Sequence, residues 1–217
     1  MSNITEELDL LIIKNYQKLI SKISIRPMDS ITLAYILSIH STKMTHDEIQ
    51  LTVKNISSMC DAWADDMEKN LEKDGPNCTS EWEAMSISQV HTLANQFIPQ
   101  EKMNRWSKWA LVYCDLQSTR PFYYTAYNHE IMRCAAMYLC GESFHRPELK
   151  DQAVYFAKQL MHYQTPLGFW EEGPHHGPSM RYNYIMMQGL SWMVKFTGDE
   201  SIKKATENLV NFMATYA

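Results

Sequence analysis

The residues best suited to chemistry lie in two short stretches, each at the start of a helix-forming segment. In the first, Asn128 and His129 follow Thr125. Asn offers an amide donor, and His can donate or accept a proton near neutral pH. In the first turn of a helix, free backbone N–H groups and the positive end of the dipole favour a bound carboxylate. Asn128 and His129 are therefore a candidate site for acid binding and proton transfer, with helix capping and packing as their alternative roles.

The second stretch, 167–189, is a loop dense in Gly, Pro, Glu and His that runs into a helix opening at Arg181. Arg recognises carboxylates with two hydrogen bonds, and a Tyr near Arg and His can exchange a proton with substrate. Tyr182 and Tyr184 lie about 200° apart on a helix, so we expect only one of them to face a cleft. The sequence leaves open which one.

Glu and His also cluster in this loop, at Glu171, Glu172, His175 and His176. Their spacing matches no standard zinc motif. The sequence therefore predicts no metal and no cofactor.

Composition indicates a globular helical protein. Of 217 residues, 45% are apolar and 21% are charged, which is ordinary for a folded domain. Only 7 Gly and 8 Pro disfavour an all-β fold, which uses such residues in its turns. Helix start and stop signals divide the chain into about nine helices. We predict a single all-α domain over residues 1–217.

The helices alternate between two kinds. Segments that are apolar on nearly all sides begin near residues 30, 81, 125 and 181, and amphipathic segments follow them. A helix that is hydrophobic all round must be enclosed, while an amphipathic helix covers it from outside. This alternation predicts an α/α toroid or an incomplete toroid of antiparallel helical hairpins. An α-solenoid is the alternative, because it also stacks hairpins at this period.

Charge, cysteines and targeting signals limit the partners and the location that we expect. A net charge of −5 argues against nucleic-acid binding. The five cysteines include no CxxC pair, which indicates free thiols and favours a cytoplasmic location. The N-terminus does not read as a signal peptide, and no segment reaches the roughly 20 apolar residues that span a bilayer. We therefore expect a soluble protein that does not bind membranes.

Several short motifs occur in a fixed order. They are Asn128-His129, Gly141-Glu142, Gln164, Gly168-Phe169-Trp170-Glu171-Glu172-Gly173, Arg181-Tyr182-Asn183-Tyr184 and Thr197-Gly198-Asp199. Over residues 120–215 this order resembles the toroid domain of alginate-lyase-like and heparinase II/III-like polysaccharide lyases. Those proteins have more hairpins than this chain offers, so a second copy or a missing partner domain could complete the cleft.

The resemblance implies β-elimination at a uronic acid in an acidic oligo- or polysaccharide. Asn128 and Arg181 would neutralise the C5 carboxylate, His129 or a Tyr would remove the neighbouring proton, and Tyr182 or Tyr184 would protonate the leaving oxygen. The remaining substrate-binding candidates are Glu172, His175, His176, Tyr124 and Trp170. Two other functions stay open. One is a glycoside hydrolase on the same scaffold that uses Glu171 and Glu172, and the other is a non-catalytic helical-repeat binding or assembly protein.

Overall fold

The computed structural model describes residues 16, 18–21, 25–70, 81–121, 126–171 and 178–216. These residues are all-helical, with no strand among them, which confirms the predicted class. The α-helices are α1 Pro27–His40, α2 His46–Asn70, α3 Glu81–Ala94, α4 Gln100–Thr119, α5 Tyr127–Ser143, α6 Pro147–Met161, α7 Met180–Thr197 and α8 Glu200–Tyr216. Two 3-10 turns, Ser41–Lys43 and Asn95–Phe97, follow α1 and α3. The predicted starts near residues 30, 81, 125 and 181 each fall within three residues of an observed helix start.

The chain divides into two compact units. The N-terminal unit comprises Met1–Pro76 and Trp82–Ala110, and the C-terminal unit comprises Asn77–Glu81 and Leu111–Ala217. Glu81, the first residue of α3, therefore belongs to the C-terminal unit, as does the end of α4.

In the N-terminal unit, residues that precede α1 form hydrogen bonds with α2. The Tyr16 hydroxyl hydrogen-bonds to the Thr52 hydroxyl over 2.8 Å, and the Asn55 amide donates to the Ile20 carbonyl over 3.0 Å. Thr45 caps α2: the Glu48 backbone N–H donates to the Thr45 hydroxyl over 3.3 Å, and the Thr45 backbone N–H donates to the Glu48 carboxylate over 2.8 Å. This reciprocal cap fixes where α2 begins.

An exposed ion network joins α2 to α4 in the same unit. The Arg105 guanidinium contacts Asp65 at 2.5 Å and Glu68 at 3.0 Å, and the Trp109 indole N–H donates to Glu68 over 2.9 Å. Lys102 also contacts Asp61. We call these side chains the α2–α4 network.

The C-terminal unit contains two helical hairpins. In the first, α5 and α6 run antiparallel, because the Tyr127 and Tyr163 rings stack at 5.7 Å at one end of the pair and Gly141 meets Lys150 at the other. In the second, α7 ends at Gly198 and α8 follows directly. The Asp199 carboxylate accepts hydrogen bonds from the Ser201 and Ile202 backbone N–H groups and so caps α8.

The two hairpins stack in parallel register. Gly189 on α7 approaches Ile131 on α5, and the Tyr138 hydroxyl donates to the Phe196 carbonyl over 3.1 Å, 58 residues along the chain. A Cβ on Gly189 would lie 2.8 Å from the Ile131 side chain, so the helices meet at a point where only glycine fits. Because both contacts have the same offset, α5 and α7 begin at the same end of the unit.

Helices α6 and α8 are paired in the same way. Lys158 pairs with Asp199 at 2.7 Å, and the Gln164 amide donates to the Ala205 carbonyl over 2.8 Å, 41 residues along the chain. The helices of the second hairpin thus lie beside their counterparts in the first.

Helices α5 and α7 differ in burial. Helix α5 is buried along most of its length, as its sequence predicts. Helix α7 was expected to be enclosed on all sides, and this is wrong. One stripe of α7 is buried, while Tyr184 on the opposite side is 51% exposed. Aromatic and methionine side chains on α7 made its exposed side look like core in the sequence.

Candidate functional site

His129 is paired with a buried carboxylate at the N-terminal end of α5. Its Nδ1 lies 2.6 Å from Oε1 of Glu81, whose side chain is 0% exposed, whereas the His129 side chain is 34% exposed. A carboxylate can only accept at Nδ1, so the proton lies on Nδ1 and the acceptor lone pair lies on Nε2. This arrangement suits a general base that is held in one orientation by the acid behind it.

Tyr113 on α4 lies in the same buried environment. Burial raises the pKa of its phenol well above 10, and the charge of Glu81 raises this pKa further. Tyr113 therefore remains protonated near neutral pH, where it can serve as a hydroxyl donor and not as a base. Neither Glu81 nor Tyr113 was predicted from the sequence, because Glu81 opens a helix and Tyr113 fits an ordinary apolar stripe.

A second buried group of charges follows His129 on α5. Arg133 lies 2.8 Å from Glu130, and Arg120 lies 3.8 Å from the same carboxylate. The Arg133 guanidinium also covers the Phe156 ring at 4.6 Å from its centroid. We call Glu130, Arg133 and Arg120 the α5 ion cluster. The sequence analysis missed it, although two opposite charges three residues apart in an otherwise apolar helix are a usable signal.

Asn128 occupies the first turn of α5, as predicted, and is 3% exposed. Any ligand contact by its amide therefore occurs in a buried setting, where a polar group needs a partner.

The start of α7 presents Arg181 and Tyr182 at the surface, and Tyr182 is 39% exposed. Tyr182, Gly189 and Phe196 are spaced by seven residues and so share one side of the helix. Gly189 and Phe196 contact α5, which assigns Tyr182 to the α5-facing side of α7. Tyr184 lies about 140° around the helix from Gly189, on the opposite side.

His129 and Tyr182 approach α5 from different sides. His129 is two residues before Ile131 and so lies about 160° around α5 from the point where α7 packs. The constant offset of 58 residues places Tyr182 just beyond the N-terminal end of α5, which begins at Tyr127. The two groups therefore share one end of α5 but flank it on opposite sides.

Trp170 is buried in the core. It is 1% exposed, and its indole N–H donates to the Leu160 carbonyl over 3.0 Å. Its backbone N–H donates to the side chain of Asn183 over 3.0 Å, and the Asn183 amide donates to the Trp170 carbonyl over 3.2 Å. Trp170 thus anchors the loop to the first turn of α7, and a ligand reaching its indole would have to displace core packing.

An aromatic pair lies at the same end of the hairpin. Tyr127 in the first turn of α5 stacks on Tyr163, which is 40% exposed. Tyr163 was not predicted as a site residue, because it lies just after α6 and outside the two candidate stretches.

The remaining predicted residues, Tyr124, Glu172, His175 and His176, lie outside the described residues. Glu171 is described and exposed. Among the described residues there is no group of three or more His, Cys, Asp and Glu side chains that could hold a metal ion. In the same part of the chain, no helix is both long and apolar enough to cross a membrane.

Comparison of the chain with protein-family models, curated proteins and solved structures found no match.

Proposed function

We propose that this protein is a lyase-like enzyme that cleaves an acidic polysaccharide by β-elimination at a uronic acid, with His129 as the base. The observation that carries the proposal is the pairing of His129 Nδ1 with the fully buried Glu81 carboxylate at 2.6 Å. Burying a carboxylate costs several kcal/mol unless it is paired. The pair therefore holds the imidazole in place, and its partly exposed side is left to face a substrate.

In the proposed reaction, Nε2 of His129 takes the C5 proton of the uronic acid. The electron pair left on C5 forms the C4–C5 double bond, the C4–O bond breaks, and the leaving oxygen gains a proton. Asn128 and the N-terminal end of α5 stabilise the charge that develops on the carboxylate, which is the interaction expected to contribute most to the rate.

Tyr182 is the proposed proton donor to the leaving oxygen, in preference to Tyr184, because it lies on the α5-facing side of α7. For His129 and Tyr182 to reach one glycosidic linkage, the substrate must lie across the N-terminal end of α5. Arg181, exposed beside Tyr182, would pair with a carboxylate of the bound chain.

The scaffold we propose for this site is an arc of an α/α toroid, with α5 and α7 as inner helices and α6 and α8 as outer helices. An α-solenoid would use the same two hairpins, and the two differ in whether further inner helices converge on the end that carries His129.

The test is incubation with a panel of uronate polymers, followed by the absorbance of the unsaturated product. We expect His129→Ala to lower the rate by about 10² to 10⁴-fold, with Tyr182→Phe strongly impaired and Tyr184→Phe close to wild type. His46→Ala, at an exposed histidine in the N-terminal unit, is the matched control. Reducing-sugar release without the unsaturated product would replace the lyase by a hydrolase.

A non-catalytic assembly role is the second candidate, and the exposed side of α7 favours it. Tyr184, Ser191 and Lys195 lie on the side of α7 that a further stacked hairpin would cover. Inactivity on every uronate polymer, together with Tyr184-dependent self-association in sedimentation, would favour this role over the lyase.

A further inference from the structure

The C-terminal unit has a groove lined by residues that the proposed active site does not use. It has a volume of about 320 Å³, near the lower end for small-molecule sites. The loop after α6 and the last three turns of α8 form it. Its lining consists of Pro166, Leu167, Gly168, Asn208, Asn211, Phe212, Thr215 and Tyr216.

The loop side of this groove is held in place by hydrogen bonds. The Gln164 amide donates to the Gly168 carbonyl over 2.9 Å and to the Ala205 carbonyl of α8 over 2.8 Å. Gly168 has φ +93, and a Cβ there would lie 2.5 Å from the Asn208 carbonyl oxygen. Only glycine lets the loop approach α8 this closely, so the groove is formed before any ligand arrives.

The helix side combines aromatic rings with amides. Phe169, Phe212 and Tyr216 form a continuous run, with ring centroids 4.7 and 4.8 Å apart. Phe212 is 5% exposed and forms the floor, while Tyr216 is 65% exposed and forms a wall. Asn208 and Asn211 lie one turn apart on the same side of α8, and both line the groove. The Asn208 amide donates to the Gln164 side chain over 3.4 Å, which orients it beside the loop.

Among the described residues, no charged side chain lines the groove. A charged ligand would lose its hydration there without gaining an ion pair. A neutral ligand with a flat apolar face and several hydroxyl groups does not need an ion pair. Its apolar face can pack on an aromatic ring, and its hydroxyls can pair with amide donors and acceptors. A sugar ring in the pyranose form has this shape.

We infer that the groove between residues 166–168 and the end of α8 is a binding site for a neutral sugar ring. The groove lies at the same end of the hairpins as His129, because α6 ends and α7 begins there. It is separate from the proposed catalytic site and does not depend on it, since its lining selects against the uronate that His129 would act on.

The experiment is ligand-observed NMR on the whole protein with neutral hexasaccharides of glucose, mannose and xylose, beside an acidic hexauronate. We expect at least one neutral hexasaccharide to bind, with the saturation signal unchanged by added salt because no charge takes part. Tyr216→Ala and Asn211→Ala should each weaken binding about ten-fold or more. Tyr155→Ala is the control, because Tyr155 is 56% exposed on α6 but does not line the groove.

Absence of binding to every neutral hexasaccharide would overturn the inference, as would binding that both groove variants leave intact. Preference for the hexauronate at this groove, lost in Tyr216→Ala, would overturn its neutral selectivity. Uronate cleavage by the same variants separates the two proposals: Tyr216→Ala should retain cleavage, and His129→Ala should retain neutral-sugar binding. Thermal melting confirms that each variant is folded.

Discussion

Each unit contains an arginine–carboxylate ion pair, one exposed to solvent and the other buried. In the α2–α4 network, Arg105 is 32% exposed and its partner Asp65 is 54% exposed. In the α5 ion cluster, Arg133 is 3% exposed and Glu130 is 1% exposed. Water screens the first pair and not the second, so the first contributes little to stability while breaking the second leaves a buried charge. Contact distance alone does not distinguish them, because both pairs are closer than 3 Å.

Breaking the buried pair should give the largest effect. Glu130→Leu leaves the Arg133 guanidinium buried without its carboxylate, and we expect a loss of about 3–5 kcal/mol in the free energy of unfolding. The measurement is urea denaturation followed by circular dichroism. The double variant Glu130→Leu/Arg133→Leu should recover most of this loss, because the most deeply buried charge is gone. The remaining cation, Arg120, is 23% exposed and still donates to Gln117. A single variant as stable as wild type would contradict the comparison.

An intermediate effect is expected at Asp199, which caps α8 and pairs with Lys158 in the same unit. Asp199→Ala removes both contacts and should cost about 1–2 kcal/mol in the free energy of unfolding. Asp199→Asn keeps the cap and removes only the partly exposed ion pair, so it should cost under about 1 kcal/mol. If both variants lose the same amount, the ion pair and not the cap is responsible.

Acid should destabilise both units through carboxylates in these pairs. The Lys158 ammonium lowers the pKa of Asp199 to about 2, and hydrogen bonds from Arg105 lower the pKa of Glu68 to about 2. A carboxyl group whose pKa is lowered in the folded state stabilises the fold at any pH above its ordinary pKa. This contribution is lost as the pH falls toward 2. The urea midpoint should therefore decrease between about pH 4 and pH 2. The decrease should be smaller in Asp199→Asn and in Glu68→Gln.

The smallest effect is expected in the exposed network. Arg105→Ala should cost under about 1 kcal/mol in the free energy of unfolding, and the cost should shrink further in 1 M salt because ions screen exposed charges. Urea midpoints at low and high salt measure it. A loss as large as that of Glu130→Leu would show that solvent exposure does not decide the value of these pairs.

The helices could be predicted because their boundaries depend on local chemistry. Neighbouring residues suffice to explain three helix starts and one helix stop. The starts are at Pro27, Thr45 and Pro147, and the stop is at Gly198. The partial exposure of α7 could not be predicted, since apolar side chains of the same types face α5 on one side of the helix and solvent on the other. The contacts at Gly189 and Phe196 fix that orientation.

The candidate site could be predicted in part. The sequence singled out His129 but not Glu81, because the pair is separated by 48 residues and no local pattern links them. The resemblance made Trp170 a substrate-binding candidate, yet its indole is buried in the core. The choice between Tyr182 and Tyr184 depends on helix rotation, which the seven-residue spacing from Gly189 supplies.

The constant offset between α5 and α7 also has a consequence for how the chain folds. Contacts within the α5–α6 hairpin join neighbouring segments, whereas the Tyr138–Phe196 contact closes a loop of 58 residues. Closing a longer loop costs more entropy, and chains with distant contacts fold more slowly. We therefore expect each hairpin to form early and the docking of the two hairpins to limit the folding rate. A larger side chain at Gly189 would then slow folding mainly at that docking step.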